Sequence, residues 1–136
     1  MIRTQIVTPY GKIFEGQASG VNLPGSEGAF EVKKNHASLM AMLDIGKLIV
    51  RGTDSKESYF TVNRGFVEVH DNEVTVLTEA AENVQDIDVD RAKRAKEHAQ
   101  HELEEQKQNK AKAQELQQTE LALKRAVNRL KLADLK

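Results

Sequence analysis

The chain contains no glycine or proline after Gly65, which leaves a run of 71 residues without either. These two residue types interrupt helices most often, because glycine is conformationally free and proline lacks an amide hydrogen. All six phenylalanine and tyrosine residues also lie at or before Phe66. The sequence therefore divides into a first part with frequent turn signals and a second part that can form long helices.

Residues 1–83 have the pattern of an antiparallel β domain, in which short apolar segments alternate with turn residues. Many short strands with turns at this spacing predict a β-sandwich. The predicted strands are residues 3–8, 12–19, 20–23, 28–32, 47–51, 57–62, 65–70 and 73–77.

The clearest predicted hairpin joins the last two of these strands. Val67 and Val69 alternate with polar residues before the turn, and Val74 and Val76 do so after it. Residues 71–72 between them, Asp-Asn, are of the kind that forms a two-residue turn.

From Asp88 onward the composition is dominated by residues that favour helices. Apolar residues recur there at spacings of three and four, which indicates two amphipathic stripes. The stripes are Ala92, Ala95, Ala99 and Leu103, and then Leu116, Leu123, Val127 and Leu130. Residues 104–112 are nearly all polar, so two helices connected near residues 106–110 can form an antiparallel hairpin that buries both stripes. A single continuous helix fits the same composition.

The predicted hairpin is lightly packed, because its first stripe is mostly alanine. A buried methyl group contributes far less than the roughly 1.5–3 kcal/mol of a buried Leu or Val side chain. Ordering costs of about 1.5 kcal/mol per residue nearly cancel such a gain. As one helix, residues 88–136 would extend for roughly 70 Å at about 1.5 Å per residue. We therefore expect a tail with two states of different length.

The charge is polarised along the chain. Residues 88–136 hold nine acidic and twelve basic residues, net +3, and the total of −1 leaves −4 for residues 1–87. Nucleic-acid binding is not expected, because the basic residues of the tail alternate with acidic ones and no aromatic residue lies there to stack on bases.

Several cellular contexts are disfavoured. The chain has no cysteine, so neither a disulfide framework nor a thiolate metal site is expected, and a reducing cytoplasm fits. Its first residues alternate in polarity, unlike a signal peptide, and no segment approaches the roughly 20 apolar residues that span a bilayer. Membrane association is expected only through a partner.

No catalytic apparatus is recognisable: the chain has no phosphate-binding glycine loop of Walker type, no nucleophile elbow and no HExxH motif. His98, His101, Glu102 and Glu105 share one helical face, which could hold a divalent metal. A solvated polar face is the favoured alternative on a helix so rich in charge, and no metal site is predicted. His36 is expected to make a structural hydrogen bond in a loop.

The basic residues of the tail suggest an anion site. Asp88 and Arg91 are three apart, and Arg125 and Arg129 are four apart, so each pair projects from one helical face. In a hairpin, positions 91 and 125 approach the same end, where three guanidinium groups could converge on a phosphate. The alternative is a set of exposed helix charges that form weak ion pairs.

The sequence resembles the epsilon subunits of bacterial F-type ATP synthases across nearly its whole length. The segments that carry the resemblance are GAFEV at 28–32, NHASL at 35–39, GFVEV at 65–69, NEVTVL at 72–77, AAE at 80–82, and Ile87-Asp88 followed by Arg91-Ala92. The family usually has Gly-Val and a proline before the Asn-His, where this chain has Glu31-Val32 and Lys33-Lys34.

The resemblance implies a ten-stranded β-sandwich, residues 1–84, followed by a two-helix C-terminal domain, residues 88–136. It implies a non-catalytic rotor subunit whose sandwich binds the gamma subunit and the c-ring, so that proton or sodium flow is coupled to ATP synthesis. The helical domain, when extended, would contact the alpha and beta subunits and inhibit ATP hydrolysis. The implied location is the cytoplasmic face of the cell membrane, as a peripheral subunit.

The resemblance also implies ATP as a regulatory ligand, with no cofactor required. Some members of the family bind ATP in the folded hairpin. The matching residues here are Glu82, Ile87, Asp88, Arg91, Ala92, Arg125 and Arg129. One further position, an arginine in some ATP-binding relatives, is His98 in this chain.

Two other classes stay open from the residues alone. One is a β-sandwich adaptor with a helical oligomerisation tail, which sustained heptads would favour, although residues 104–112 interrupt the apolar seam. The other is a metal-dependent enzyme that uses His98 and His101.

Overall fold

Ten strands and two long helices make up the chain, and the computed structural model describes all of its residues, 1–136. Residues 1–84 form one compact unit and residues 85–136 form another. The strands are β1 Ile2–Thr8, β2 Gly11–Ala18, β3 Gly20–Leu23, β4 Phe30–Lys33, β5 Leu39–Leu43, β6 Gly46–Arg51, β7 Glu57–Val62, β8 Gly65–His70, β9 Glu73–Thr78 and β10 Ala81–Asn83. A short 3-10 turn, Val84–Asp86, precedes the helices α1 Val89–Gln108 and α2 Ala113–Ala133.

The strands form two five-stranded sheets that pack face to face. The strand order is β2-β1-β9-β8-β5 in the first sheet and β10-β7-β6-β3-β4 in the second. One buried apolar cluster contains Ile6 and Val76 from the first sheet together with Leu48 and Phe60 from the second. This arrangement confirms the predicted β-sandwich.

The predicted hairpin is confirmed as the pair β8–β9. Val67 lies opposite Val76 and Val69 lies opposite Val74, and all four side chains are buried. Asp71 and Asn72 have φ angles of 48° and 61°. Positive φ at both central residues is the signature of a type I′ turn, which matches the twist of the strands it joins.

Two strands, β5 and β10, were not predicted from the residue pattern. The β5 sequence, LMAML, is apolar throughout and shows no alternation, although alternate side chains do turn outward: Met40 and Met42 are 72% and 60% exposed. β10 has only three residues, Ala-Glu-Asn, and none of them favours strands. The strand predicted at 28–32 begins at Phe30 instead, because Gly28 adopts a φ of +127°.

The two helices form the predicted antiparallel hairpin. They pack along each other, and the Nζ of Lys136, just after α2, donates to the backbone oxygen of Ile87, just before α1, at 3.1 Å. The connection at 109–112 lies later than predicted, because the polar residues 104–108 are good helix formers and α1 continues through them. Neither helix has the length and apolar character needed to cross a membrane.

The buried stripes differ in detail from the prediction. Ala92 and Ala99 are buried as expected, but Ala95 is exposed and Val127 is 42% exposed. On α2, the side chains of Thr119 and Ala126 are buried instead. The hydroxyl of Thr119 donates to the backbone oxygen of Glu115 at 3.1 Å, so this buried polar group is satisfied.

Gly65→Ala is expected to destabilise the first unit by about 3 kcal/mol or more, because strained backbone and steric overlap add. Gly65 has a φ of +153°, and an added Cβ would lie 2.0 Å from the backbone oxygen of Leu77. Gly11→Ala is the matched control, because Gly11 has a φ of +127° but no atom within 4 Å of an added Cβ. Only the backbone cost, about 1 kcal/mol, is expected there. Urea unfolding followed by circular dichroism measures both, and equal losses would contradict the steric argument.

Candidate functional site

The seven residues of the predicted ATP site are divided between the two units. Glu82 lies in β10 of the first unit, opposite Thr61 of β7, and its backbone N–H donates to the Thr61 hydroxyl at 3.1 Å. The other six residues lie in the second unit, four at the start of α1 and two on α2.

The start of α1 is built by three of these residues. Asp88 is the N-cap, and its Oδ1 accepts a hydrogen bond from the backbone N–H of Arg91 at 3.0 Å. Such a cap satisfies one of the amides that a helix N-terminus leaves without a partner. Ile87 and Ala92 on either side are 2% and 0% exposed. Asp88, Ile87 and Ala92 therefore each have a role in folding, whereas the side chain of Arg91 is exposed.

Arg125 and Arg129 lie in the last turns of α2, and both are half-buried. Because the helices run antiparallel, the end of α2 lies beside the start of α1, where Lys136 reaches Ile87. Arg91 and Arg129 thus belong to the same end of the hairpin. Arg125 precedes Arg129 by about one turn of α2 and lies that much further from this end. This end of the second unit also holds acidic residues, among them Asp88 and Asp134.

The histidines of α1 form surface pairs with glutamates one turn further on. His98 Nε2 lies 3.6 Å from Glu102 Oε2, and His101 Nε2 lies 3.1 Å from Glu105 Oε1. No group of three or more His, Cys, Asp or Glu side chains is positioned to hold a metal ion. In the first unit, Nδ1 of His36 lies 2.7 Å from the backbone oxygen of Ala37, a local loop contact of the kind expected.

An exposed apolar surface, which the residue patterns had not predicted, lies on the outer face of the first sheet. The strand registers place one apolar residue from each of four neighbouring strands in a single row. We call this row, formed by Val7, Leu77, Phe66 and Met42, the apolar row. Phe66 and Leu77 are both 50% exposed, and the row lines a surface pocket.

The apolar row could have been found from the alternation of β8 and β9. The inward valines at 67, 69, 74 and 76 require Phe66 and Leu77 to point outward, since successive side chains of a strand alternate between faces. Exposed aromatic and aliphatic residues side by side are uncommon on isolated proteins and indicate a contact surface.

The outer face of the second sheet is polar by contrast. Arg51 Nη1 lies 2.7 Å from Glu31 Oε1, and Arg51 Nη2 lies 3.5 Å from Glu57 Oε1. The Tyr59 hydroxyl donates to Glu57 Oε2 at 2.6 Å, and this hydrogen bond, aided by the charge of Arg51, lowers the pKa of Glu57. The outer face of the second sheet therefore carries charged pairs, whereas that of the first carries the apolar row.

Both units match models of one protein family. Residues 1–84 match the model described as ATP synthase, Delta/Epsilon chain, beta-sandwich domain, and residues 85–134 match the model described as ATP synthase, Delta/Epsilon chain, long alpha-helix domain.

Individual relatives extend this match to nearly the full chain. The ATP synthase epsilon chain of Exiguobacterium sp. is 36% identical over 135 residues, which covers 99% of this chain and 97% of that protein. That of Bacillus pumilus is 36% identical over 132 residues, with 97% and 96% covered. The epsilon chain of Protochlamydia amoebophila is 42% identical over 89 residues, and that match spans only 60% of the relative's length.

Among solved structures, a chain of the Euglena gracilis mitochondrial ATP synthase has a TM-score of 0.79 at 21% identity, with 99% of this chain and 81% of that chain covered. This likeness concerns the fold. The family models and the near full-length bacterial relatives agree with the ordered sequence segments, the ten-stranded sandwich and the helical hairpin. The chain belongs to the family of ATP synthase epsilon chains.

Proposed function

We propose that the chain is a non-catalytic rotor subunit of an F-type ATP synthase, which helps couple proton flow to ATP synthesis and restrains ATP hydrolysis through its C-terminal helices. The observation that carries the proposal is the match of both units, in order, to the epsilon chains. The proposed location is the cytoplasmic face of the cell membrane, held there through partner subunits.

The proposed partners of the sandwich are the gamma subunit and the c-ring. The titles of two similar structures support this, since one names F1 and the c-ring and the other, from Tetrahymena thermophila, names the central stalk and c-ring. The apolar row provides a physical basis, because burying exposed aromatic and aliphatic side chains is the main driving force of stable protein association. We assign the row to the gamma contact.

Phe66→Glu is expected to weaken binding of the chain to gamma by roughly tenfold or more, because it places a charge in the centre of a dehydrated contact. Phe66 is half-exposed in the isolated chain, so the fold should tolerate the change. The matched control is His70→Glu, four residues further along β8 at the polar end of the same face. Calorimetric titration with purified gamma measures both variants. Equal affinities for the two variants would contradict the assignment of the row.

The proposed regulatory element is the helical hairpin, which would contact the alpha and beta subunits when extended. Its seam contains the small residues Ala92, Ala99 and Ala126, each of which contributes far less on burial than a leucine does. A hairpin of this kind can exchange with a longer form at small free-energy cost.

Deletion of residues 88–136 is expected to increase ATP hydrolysis by the assembled complex, because the inhibitory extended state no longer exists. The sandwich with its apolar row is retained, so assembly with gamma should be unchanged. Steady-state hydrolysis by complexes reconstituted with full-length or truncated chain is the measurement, with subunit content checked on gels. An unchanged rate in fully assembled complexes would contradict a regulatory role for the tail.

ATP is the proposed ligand of the folded hairpin. Arg91, Arg125 and Arg129 lie toward one end of the second unit, and guanidinium groups donate paired hydrogen bonds to phosphate. A ligand that binds only the folded state and is present at about 100 times its dissociation constant stabilises that state by roughly 2.7 kcal/mol. For a lightly packed hairpin, this is enough to change which state predominates.

Arg91→Gln is expected to lower the affinity of the isolated chain for ATP by roughly tenfold or more, because a charge-assisted pair to phosphate is lost. Arg94→Gln is the matched control, because Arg94 is also an exposed arginine of α1 and lies outside the predicted site. Calorimetric titration with Mg-ATP measures both. If the unsubstituted chain shows no saturable binding at millimolar ATP, or if the two variants lose affinity equally, the predicted site is wrong.

A further inference from the structure

The connection between the helices contains a left-handed residue that is not glycine. Lys110 has a φ of +53°. Its N–H donates to the Lys107 oxygen at 3.4 Å, and the N–H of Ala111 donates to the Gln106 oxygen at 2.9 Å. These two bonds define a Schellman motif, in which the left-handed position is usually glycine because other residues bring their Cβ too close to the backbone.

Two further features of this connection are unfavourable for a turn. Lys112 occupies the N-cap position of α2 and makes no capping hydrogen bond with its side chain. The apolar contact that usually accompanies a Schellman motif would join Ala111 to Gln106, and the Oε1 of Gln106 is buried without a hydrogen-bond partner in the chain. The hairpin therefore reverses direction without the residues that normally stabilise such a reversal.

Three of the four residues in the connection favour a helix. Lys110, Ala111 and Lys112 are good helix formers, whereas Asn109 is a poor one. In a continuous helix Lys110 would have ordinary helical φ, and no capping residue would be needed at position 112. The local preference of the connection is thus opposite to the conformation that the folded hairpin imposes on it.

We propose that Lys110 biases the tail toward the continuous helix: the hairpin holds this lysine in a left-handed conformation that extension releases. The inference rests on the proposed function, in which the tail alternates between these two states. Packing between α1 and α2, with the contact from Lys136 to Ile87, opposes the bias in the folded hairpin. The connection thus favours the extended state, and any ligand or partner that stabilises the hairpin opposes this local preference.

Lys110→Gly tests the proposal, because glycine favours the left-handed turn and disfavours the helix. Both effects shift the ratio of hairpin to continuous helix in the same direction, by roughly twentyfold or more in total. The ratio can be followed by spin labels on cysteines at Glu97 and Lys124, since both side chains are exposed and the chain has no native cysteine. The helix axes lie about 8–10 Å apart in a packed pair. Along a continuous helix the labelled positions would be about 40 Å apart.

Distance distributions of the full-length labelled chain are measured by pulsed electron spin resonance at increasing trifluoroethanol, which promotes helix formation. The unsubstituted chain is expected to convert from the short to the long distance, and Lys110→Gly to need more trifluoroethanol to do so. Lys112→Asp provides a second variant, because it adds a cap to α2 and should favour the hairpin by about fivefold.

Two controls separate the turn from general effects. Lys93→Gly removes the same charge at an exposed position that is helical in both states. Its ratio of hairpin to continuous helix should therefore lie within about twofold of that of the unsubstituted chain. Lys110→Ala removes the charge but keeps the left-handed penalty, and should not favour the hairpin. Equal shifts for Lys110→Gly and Lys93→Gly, or no long distance in the unsubstituted chain at any trifluoroethanol concentration, would overturn the proposal.

Hydrolysis by the assembled complex distinguishes this proposal from the proposed function. Lys110→Gly is expected to relieve inhibition and Lys93→Gly to leave it unchanged. If Lys110→Gly shifts the distances toward the hairpin but does not alter hydrolysis, the regulatory function is wrong while the turn bias stands. If the distances do not respond, the turn bias is wrong whatever the hydrolysis rate.

Discussion

The paired valines of the β8–β9 hairpin are the constraint on which the contact surface of the first unit depends. Val67 opposite Val76 and Val69 opposite Val74 fix the register, and a slip by one residue would turn all four outward. With these valines buried, Phe66 and Leu77 must point outward. The same pairing that forms the core therefore also places the outward side chains of the apolar row next to one another.

The two units differ in how firmly their conformation is specified. In the first, Phe60, Leu48 and many β-branched residues fill the space between two sheets. In the second, half of the six buried residues are alanines, and the connection at 109–112 lacks glycine and a capping side chain. This difference agrees with the proposed function, in which the first unit binds a partner and the second changes conformation.

Much of this architecture follows from local sequence patterns. Alternating valines and the turn at 71–72 indicate the β8–β9 hairpin, and helix-forming composition indicates the tail. Strand β5 could not be recognised in the same way, because its sequence is apolar on both faces and only pairing with β8 shows that Met40 and Met42 point outward. The helix seam was misassigned at Ala95 and Val127 because exact stripes depend on how two helices cross, which spacing within one helix does not determine.

Three of the residues that match the family's ATP-binding pattern also form the start of α1. Ile87 and Ala92 are buried, and Asp88 caps the helix through the backbone N–H of Arg91. These three residues would be retained to form the helix whether or not a ligand binds. An exposed arginine has no comparable role in folding, so Arg91 carries more information about ligand binding than its three neighbours in the pattern. A test of the proposed ATP site must therefore address its guanidinium groups, because Ile87, Asp88 and Ala92 also form the start of the helix.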